Sequence, residues 1–142
     1  MIRVQREDFD LGRELAALTR SNTSIGGLAT FVGIVREVAM TLEHYPGMTE
    51  KKLAEIEAEA RRRWKLEASL VIHRYGRLEP GDRIVLVATT SSHRHAALDS
   101  CAFLIDWLKT RAPFWKLEEG AHGADWVEAR ESDDQAAEKW TR

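Results

Sequence analysis

The sequence contains one cysteine, Cys101, among its 142 residues. A single thiol excludes an intrachain disulfide, a multi-cysteine zinc site and a CxxC redox pair, and it fits a reducing compartment. No apolar run approaches the ~20 residues that a membrane-spanning helix needs. Residues 1–7 also lack the apolar region of a secretory signal. These absences predict a cytoplasmic protein without a membrane segment.

The chain also lacks a charge excess of either sign, with 21 Lys and Arg against 23 Asp and Glu and a formal net charge of -2. Nucleic-acid-binding domains usually carry a clear basic excess. The basic run from Arg61 to Arg63 is surrounded by glutamates, so it is weak evidence for such a surface. His44 and His122 share no ligand spacing with other histidines, which argues against a metal site. Any anion-binding site must therefore be formed by a local group of cationic residues.

Hydrophobic periodicity predicts an α+β fold with an antiparallel sheet and two longer helices. A short helix is predicted over Leu11–Thr19, capped by Asp10, and a longer one over 50–64, capped by Thr49. Another long helix begins after Ser91 or Ser92 and ends near residue 111, before Pro113. Strands are predicted over 26–36, 40–45, 68–74, 84–90, 114–118 and 125–130. One domain spans 1–142, with a mobile tail over 130–142.

The connection between the first two of these strands is unusual. Residues 37–40 contain none of the Gly, Asn, Asp or Pro residues that tight hairpins use between antiparallel neighbours. Two interpretations remain open: one long bent strand crosses this region, or a loop is absent from the sequence.

The segment from Thr89 to Arg94 places hydroxyl groups, a histidine and a guanidinium where a buried strand turns into a helix. The exposed amides and the positive end of the helix dipole attract phosphate or carboxylate there, and Arg94 could add a bidentate contact. The alternative is ordinary capping by a serine, with a solvated arginine. Taken alone, the segment favours the alternative.

Lys109 and Lys116 flank Pro113, one in the last helical turn and the other in the strand that follows. A chain reversal at Pro113 can bring both amines to one pocket rim, where burial or a neighbouring cation lowers a lysine pKa towards a value useful in proton transfer. The helix dipole alone also favours a lysine at position 109. The residues by themselves favour this structural interpretation.

Three further residues carry weaker signals. His73 stands at a strand end, where a histidine is more often structural than catalytic. Arg36, at the end of the glycine-containing strand, fits a surface charge and an anion ligand equally well. Cys101 lies on the apolar face of its helix and is better explained by packing than by nucleophilic chemistry.

Together, the motifs resemble the molybdopterin synthase large-subunit family. They follow the family order from about residue 26 to 140, and the run LKTRAPFWK downstream of SSHR is the most specific part. The matching stretches are FVGIVR (31–36), LEHYPGM (42–48), VIHRYG (71–76), SSHR (91–94), LKTRAPFWK (108–116) and WVEAR (126–130).

The resemblance implies an α/β-hammerhead fold and a sulfurtransferase without a metal or other cofactor. It implies a homodimer within a heterotetramer, with a small ubiquitin-like sulfur carrier on each outer side. The carrier's C-terminal Gly-Gly tail, ending in a thiocarboxylate, would enter a pocket near Lys109 and Lys116. The substrate would be cyclic pyranopterin monophosphate, which receives two sulfurs to become molybdopterin.

By the same resemblance, Lys109 and Lys116 are the catalytic pair. Some of the pocket residues could come from the opposite protomer. The positions that match the family's phosphate and pterin pocket are Arg36, His93, Arg94 and Arg130.

The chain departs from the family pattern after Arg36, where family members usually carry a longer loop. This shortening suggests an alternative, a non-catalytic homologue that binds the carrier or a phosphorylated ligand. Retention of both Lys109 and Lys116 argues against that alternative.

Overall fold

The computed structural model describes residues 1–120, 123–127 and 131–141. Side chains are described for 1–119 and 133–141. The helices in these residues are α1 (Leu11–Thr19), α2 (Met48–Arg63), α3 (Arg94–Arg111) and α4 (Glu131–Glu138). The strands are β1 (Ile2–Gln5), β2 (Gly27–Ile34), β3 (Met40–His44), β4 (Ala68–Arg74), β5 (Gly76–Leu78), β6 (Arg83–Ser91), β7 (Phe114–Gly120) and β8 (Gly123–Val127). No helix in the described ranges is both long and apolar enough to cross a membrane.

The strands form two four-stranded sheets, one in the order β1-β4-β6-β2 and the other in the order β5-β3-β7-β8. The pairs are antiparallel except for β1 and β4, which run parallel. The predicted α+β class is confirmed. Strands β2 and β3 belong to different sheets and do not form a hairpin.

The segment 35–39 carries the chain from one sheet to the other. The Val35 N–H donates to the Asp82 carbonyl at 2.9 Å, and the Val35 carbonyl accepts from the Gly81 N–H at 2.8 Å. The Val38 N–H then donates to the Arg36 carbonyl at 2.8 Å, around Glu37 with φ 71°. This tight turn excludes one long bent strand. It also explains the missing hairpin residues, since no hairpin is made here.

Strand β6 is the buried centre of the first sheet. Its Val85 and Val87 pack into a core formed with α2 and α3. Its Leu86 and Ala88 face the opposite way, into a core formed with Phe9 and flanked by α1. Because side chains alternate across a strand, β6 supplies both cores, and this is why its sequence is continuously apolar.

The predicted cap of the second helix at Thr49 is wrong. Gly47 is the N-cap residue, with φ 84°, and its N–H donates to Glu50 Oε2 at 2.7 Å. Thr49 is fully buried inside the first turn, where its hydroxyl donates to the Tyr45 carbonyl at 2.9 Å. A left-handed N-cap without a side chain leaves no local signal except the glycine itself.

Residues 131–138 form α4, where the sequence predicts a mobile tail. The Trp140 ring lies 5.5 Å from that of Trp64 and 5.8 Å from that of Phe103, centroid to centroid. Its Nε1 donates to Asp106 Oδ2 at 2.7 Å. Ala137 is also buried. Two adjacent alanines and one tryptophan among mostly polar and charged residues do not form an apolar stripe, so the sequence pattern does not show this contact.

We expect Trp140→Ala to lower the free energy of unfolding by about 2–3 kcal/mol, because the aromatic contacts and one partly buried hydrogen bond are lost. Urea denaturation followed by far-UV circular dichroism measures the change. Glu138→Ala, at an exposed position of α4, is the control and should change stability by less than about 0.5 kcal/mol. An equally small effect of Trp140→Ala would show that the C-terminal segment does not pack against α2 and α3.

Candidate active site

Lys109 and Lys116 approach the same aromatic pair at the junction of the two sheets. Lys116 shares one face of β7 with Phe114, because the two residues alternate along the strand. The Phe114 ring stacks on His73 of β4 with 3.7 Å between centroids and 17° between planes. Lys109, in the last turn of α3, is close enough for its charge to lower the pKa of His73. The structure therefore brings both lysines into the neighbourhood of the His73–Phe114 pair.

Lys116 is partly enclosed and has an acidic neighbour. Its Nζ lies 3.6 Å from Glu118 Oε1, and the two side chains are 33% and 34% exposed. In the sheet it pairs with the buried Leu42 of β3. An amine in this position is accessible to a ligand, while the aliphatic part of the lysine side chain is covered by apolar neighbours.

His73 is a neutral imidazole at neutral pH. Burial lowers its pKa to about 4, and the charges of Lys109 and His44 act in the same direction, against the opposing hydrogen bond to Arg74. That hydrogen bond joins His73 Nδ1 to the Arg74 carbonyl at 2.8 Å. A carbonyl only accepts, so the ring proton is on Nδ1 and Nε2 keeps its lone pair.

His44, which has no role in the sequence-based assignment, adjoins the same aromatic pair. It lies opposite Phe114 in the β3–β7 register, and its ring is 4.4 Å from that of Tyr75. Its Nδ1 is 3.2 Å from Thr49 Oγ1 and 3.7 Å from Glu50 Oε1. The pairing of two distant strands decides this position, and the spacing of histidines along the chain gives no signal for it.

The N-terminus of α3 is not capped as predicted. His93 is the N-cap residue and makes no side-chain capping hydrogen bond. Ser91, one of the two predicted caps, is the last residue of β6, and its hydroxyl donates to the Lys65 carbonyl at 2.9 Å. Serine capping is therefore wrong as an explanation of this segment. His93 and Arg94 are both exposed at this helix end.

A glycine pair brings the start of β2 against this helix end. The Gly26 N–H donates to the Ser91 carbonyl at 2.9 Å. A Cβ atom at Gly26 would lie 2.0 Å from the Ser92 carbonyl oxygen, and one at Gly27 would lie 3.6 Å from Arg94 Cα. No larger residue fits at position 26 without moving the backbone, so the glycine maintains the close approach.

The two groups of cations are far apart within one chain. Helix α3 has 18 residues, and Arg94 and Lys109 stand near its opposite ends. At 1.5 Å of rise per residue they are separated by roughly 22 Å along the axis. One chain therefore does not bring Arg94 and Lys109 into one small-molecule pocket.

Arg36 lies in the same half of the first sheet as His73. The register aligns Gly33, Val85 and His73 across three strands, and the exposed Arg36 follows the end of β2. Arg130 lies outside the described residues.

Cys101 is a packing residue, as predicted from its position on the helix. It is 6% exposed, and burial raises the pKa of its thiol to about 11. At neutral pH the thiol is protonated and therefore a poor nucleophile. Within the described residues, no three His, Cys, Asp or Glu side chains are grouped so that they could hold a metal ion.

Comparison with known proteins identifies the family. The family model described as MoaE protein matches residues 4–111. A protein of Pseudomonas aeruginosa named molybdopterin synthase catalytic subunit is 54% identical, over 98% of this chain and 97% of its own length. The chain belongs to the MoaE family. A protein of the same name from Escherichia coli K12 is 52% identical, over 94% of this chain and 93% of its own.

Solved MoaE structures show the same fold. The molybdopterin biosynthesis MoaE protein of Burkholderia ambifaria is 56% identical and superposes with a TM-score of 0.87, covering 99% of this chain and 98% of the other. Molybdopterin synthase of Staphylococcus aureus is 31% identical with a TM-score of 0.80, covering 89% and 96%. The MoaE match over 4–111 includes Lys109, whereas Lys116 and Arg130 follow it in the chain.

The low pKa of His73 predicts a pH-dependent stability. Between the unfolded pKa of 6.5 and the folded pKa of about 4, the unfolded state binds a proton that the folded state does not. Folding must therefore release that proton, and the free energy of unfolding falls as the pH drops from 6.5 towards 4. From pH 7 to pH 4.5, urea denaturation should show the wild type losing about 2 kcal/mol more than His73→Gln. Equal losses in the two proteins would contradict the neutral, buried imidazole.

Proposed function

We propose that this chain is the catalytic subunit of a molybdopterin synthase, which moves sulfur from the C-terminal thiocarboxylate of a small carrier protein to cyclic pyranopterin monophosphate. The similarity to catalytic subunits over nearly the full chain carries this conclusion. The convergence of Lys109 and Lys116 on the His73–Phe114 pair supports the assignment of these two lysines as the catalytic groups.

The lysine pair suits the charges of this reaction. A thiocarboxylate and a phosphorylated precursor are both anionic, so ammonium groups beside them reduce their repulsion and stabilise negative charge as it develops. An amine can also take or give the protons that move as the carrier sulfur attacks and is released. The sulfur arrives on the carrier, so a nucleophilic cysteine is unnecessary, which agrees with the buried, protonated Cys101.

The precursor phosphate is assigned to cations from two protomers of a homodimer. His93 and Arg94 stand at the α3 N-terminus, where the backbone amides and helix dipole favour an anion. Since Arg94 is roughly 22 Å from Lys109 in its own chain, a pocket that uses both needs Lys109 from one copy and Arg94 from the other. Arg36 and Arg130 complete the proposed pocket. Two carriers bound to this dimer give the proposed heterotetramer.

The alternative of a non-catalytic module that binds the carrier or a phosphorylated ligand has no specific structural support. Both Lys109 and Lys116 are retained. Lys109 is close enough to His73 to lower its pKa, and Lys116 shares a face of β7 with Phe114. Turnover with thiocarboxylated carrier and cyclic pyranopterin monophosphate distinguishes the two functions, because a binding module forms complexes but releases no sulfurated product.

Lys109→Ala and Lys116→Ala should each lower the single-turnover rate of sulfur transfer by at least about a hundredfold, because each amine assists proton transfer or stabilises developing charge. The double variant should lose less than the product of the two effects if both amines act on one transition state. Rapid-quench measurement of pterin sulfuration with saturating carrier tests both expectations.

Lys52→Ala is the matched control, because Lys52 of α2 has a side chain that is 42% exposed and pairs with Glu55 at 3.6 Å. It should react at the wild-type rate. A near-normal rate in either Lys109→Ala or Lys116→Ala would rule out the catalytic lysine pair.

Arg94→Ala should weaken precursor binding more than carrier binding in calorimetric titrations, because the guanidinium is assigned to the phosphate. Mixing it with Lys109→Ala under conditions of subunit exchange tests the shared pocket. A mixed dimer would contain one site with both residues intact, so an equal mixture should recover about a quarter of the wild-type activity. An absence of recovery, with exchange confirmed by mass spectrometry, would show that the two residues act within one chain or in separate sites.

A further inference from the structure

Strand β2 lies at the edge of the first sheet and leaves one of its sides unpaired. Among the described residues it is paired with β6 alone, and the order of the sheet ends with it. The strand has eight residues, GLATFVGI, without a charged side chain or a proline. Natural edge strands are usually short or carry a charge or a proline, because an open row of backbone N–H and C=O groups pairs readily with another chain.

The other sheet edges in the described residues are short and carry a charge. At the opposite edge of the first sheet, β1 has four residues and contains Arg3. The second sheet ends on one side in β5, which has three residues with Arg77, and on the other in β8, which has five residues with Asp125. In the described part of the chain, β2 is therefore the edge strand that is both long and uncharged.

Two large apolar side chains of β2 are exposed. Phe31 is 41% exposed and Ile34 is 56% exposed. Phe31 shares one face of the strand with Ala29 and Gly33, because side chains alternate along a strand. Its ring lies along the strand, since a Cβ atom at Gly33 would be 3.6 Å from Phe31 Cε1. One ring between two small residues is self-complementary, because the ring of an antiparallel second copy has room above the small residues.

The direction of β2 relates this edge to the cations of α3. Strand β2 is antiparallel to β6, and α3 follows β6 and packs back along it, so α3 runs in the same direction as β2. The two elements begin side by side, because a Cβ atom at Gly27 would lie 3.6 Å from Arg94 Cα. The other end of β2 is the one nearer the proposed lysine pair, since Gly33 is aligned with His73, which stacks on Phe114.

The lengths of the strand and the helix agree. From Gly27 to Ile34 the strand rises roughly 24 Å, at about 3.4 Å per residue. This distance is close to the roughly 22 Å that separates Arg94 from Lys109 along α3. When a second β2 pairs antiparallel with the first, the start of one strand lies beside the end of the other. The Arg94 of one copy is then carried to the Lys109 end of its partner, across a strand spacing of only about 4.8 Å.

We propose that the free edge of β2 is the surface through which two copies of this chain pair, antiparallel about a two-fold axis at Phe31, so that their first sheets join into one continuous sheet. Directly opposite residues of an antiparallel pair share a face, so the axis passes through a pair of equivalent residues. The pairing uses up both β2 edges and therefore closes at a dimer. The role of this dimer in catalysis rests on the proposed function, but the interface itself can be measured without turnover.

Sedimentation velocity of the wild type and of Phe31→Lys tests the surface. The wild type should sediment as a dimer. In Phe31→Lys two ammonium groups meet across the axis in place of two aromatic rings, so the dimer dissociation constant should rise by at least about a hundredfold. Tyr45→Lys, at a 57% exposed aromatic residue outside β2, is the matched control and should remain dimeric. A monomeric wild type, or a folded Phe31→Lys that dimerises as tightly as the wild type, would overturn the proposal.

Disulfide formation tests the geometry of the pairing and does not depend on the folding of Phe31→Lys. In a Cys101→Ala background, Phe31→Cys places two thiols opposite each other, where a Cα–Cα distance of about 4.5–5.5 Å permits a disulfide. Mild oxidation should convert most of this variant to a covalent dimer, whereas Lys52→Cys on α2 should stay monomeric on a non-reducing gel. A dimeric Phe31→Cys that does not cross-link would overturn the proposal. Protection of its thiol from alkylation only after the carrier is added would assign the edge to the carrier instead.

A turnover assay of the same proteins separates the interface from the function on which its role rests. If the wild type dimerises through β2 but transfers no sulfur, the proposed function fails and the interface stands. If the wild type is active, a folded, monomeric Phe31→Lys should lose nearly all sulfur transfer, because its Arg94 and its lysines are no longer joined across the dimer. An unchanged rate in that monomer would overturn the part of the proposal that completes the pocket across β2. Far-UV circular dichroism shows that the variant is folded.

Discussion

The burial of β6 on both faces is the constraint on which the rest of the structure depends. Val85 and Val87 join the core under α2 and α3, while Leu86 and Ala88 join the core flanked by α1. A strand covered on both sides must be central, so β4 and β2 pair with its two edges. The central position of β6 also determines where α3 begins, because the helix starts directly after this strand and packs back along it.

The length of α3 then determines how the cations are distributed. The helix carries Arg94 near one end and Lys109 near the other, and a rigid helix of this length keeps them roughly 22 Å apart. The uncapped N-terminus and the lysine end are therefore two separate features of one chain. A pocket shared between protomers reconciles this distance with a substrate that needs both a phosphate site and a lysine pair. In this proposal, dimer formation is a requirement of catalysis.

At the lysine end, the site lies where the two sheets meet. The stack of His73 on Phe114 joins the first sheet to the second, and the same contact removes the imidazole from water and lowers its pKa to about 4. Burial of a histidine in its neutral form reduces stability at acidic pH. The charge of Lys109 acts in the same direction as burial and helps to keep the His73 ring neutral.

The sequence by itself determined the elements whose signals are local. Helix α1 and strand β4 have the bounds predicted from their periodicity, and the motifs around Lys109 and Lys116 led to the family. Tertiary structure alone decided the short strands β1 and β5, the division of β2 and β3 between two sheets, and the helix over 131–138. Short strands and charged helices are stable only through their partners. The sequence likewise placed His73 at a strand end, but only the pairing of β3 with β7 and the packing of Phe114 on β4 brought it to the junction of the two sheets. The reason is that periodicity reports the face of an element, whereas a site depends on which faces meet.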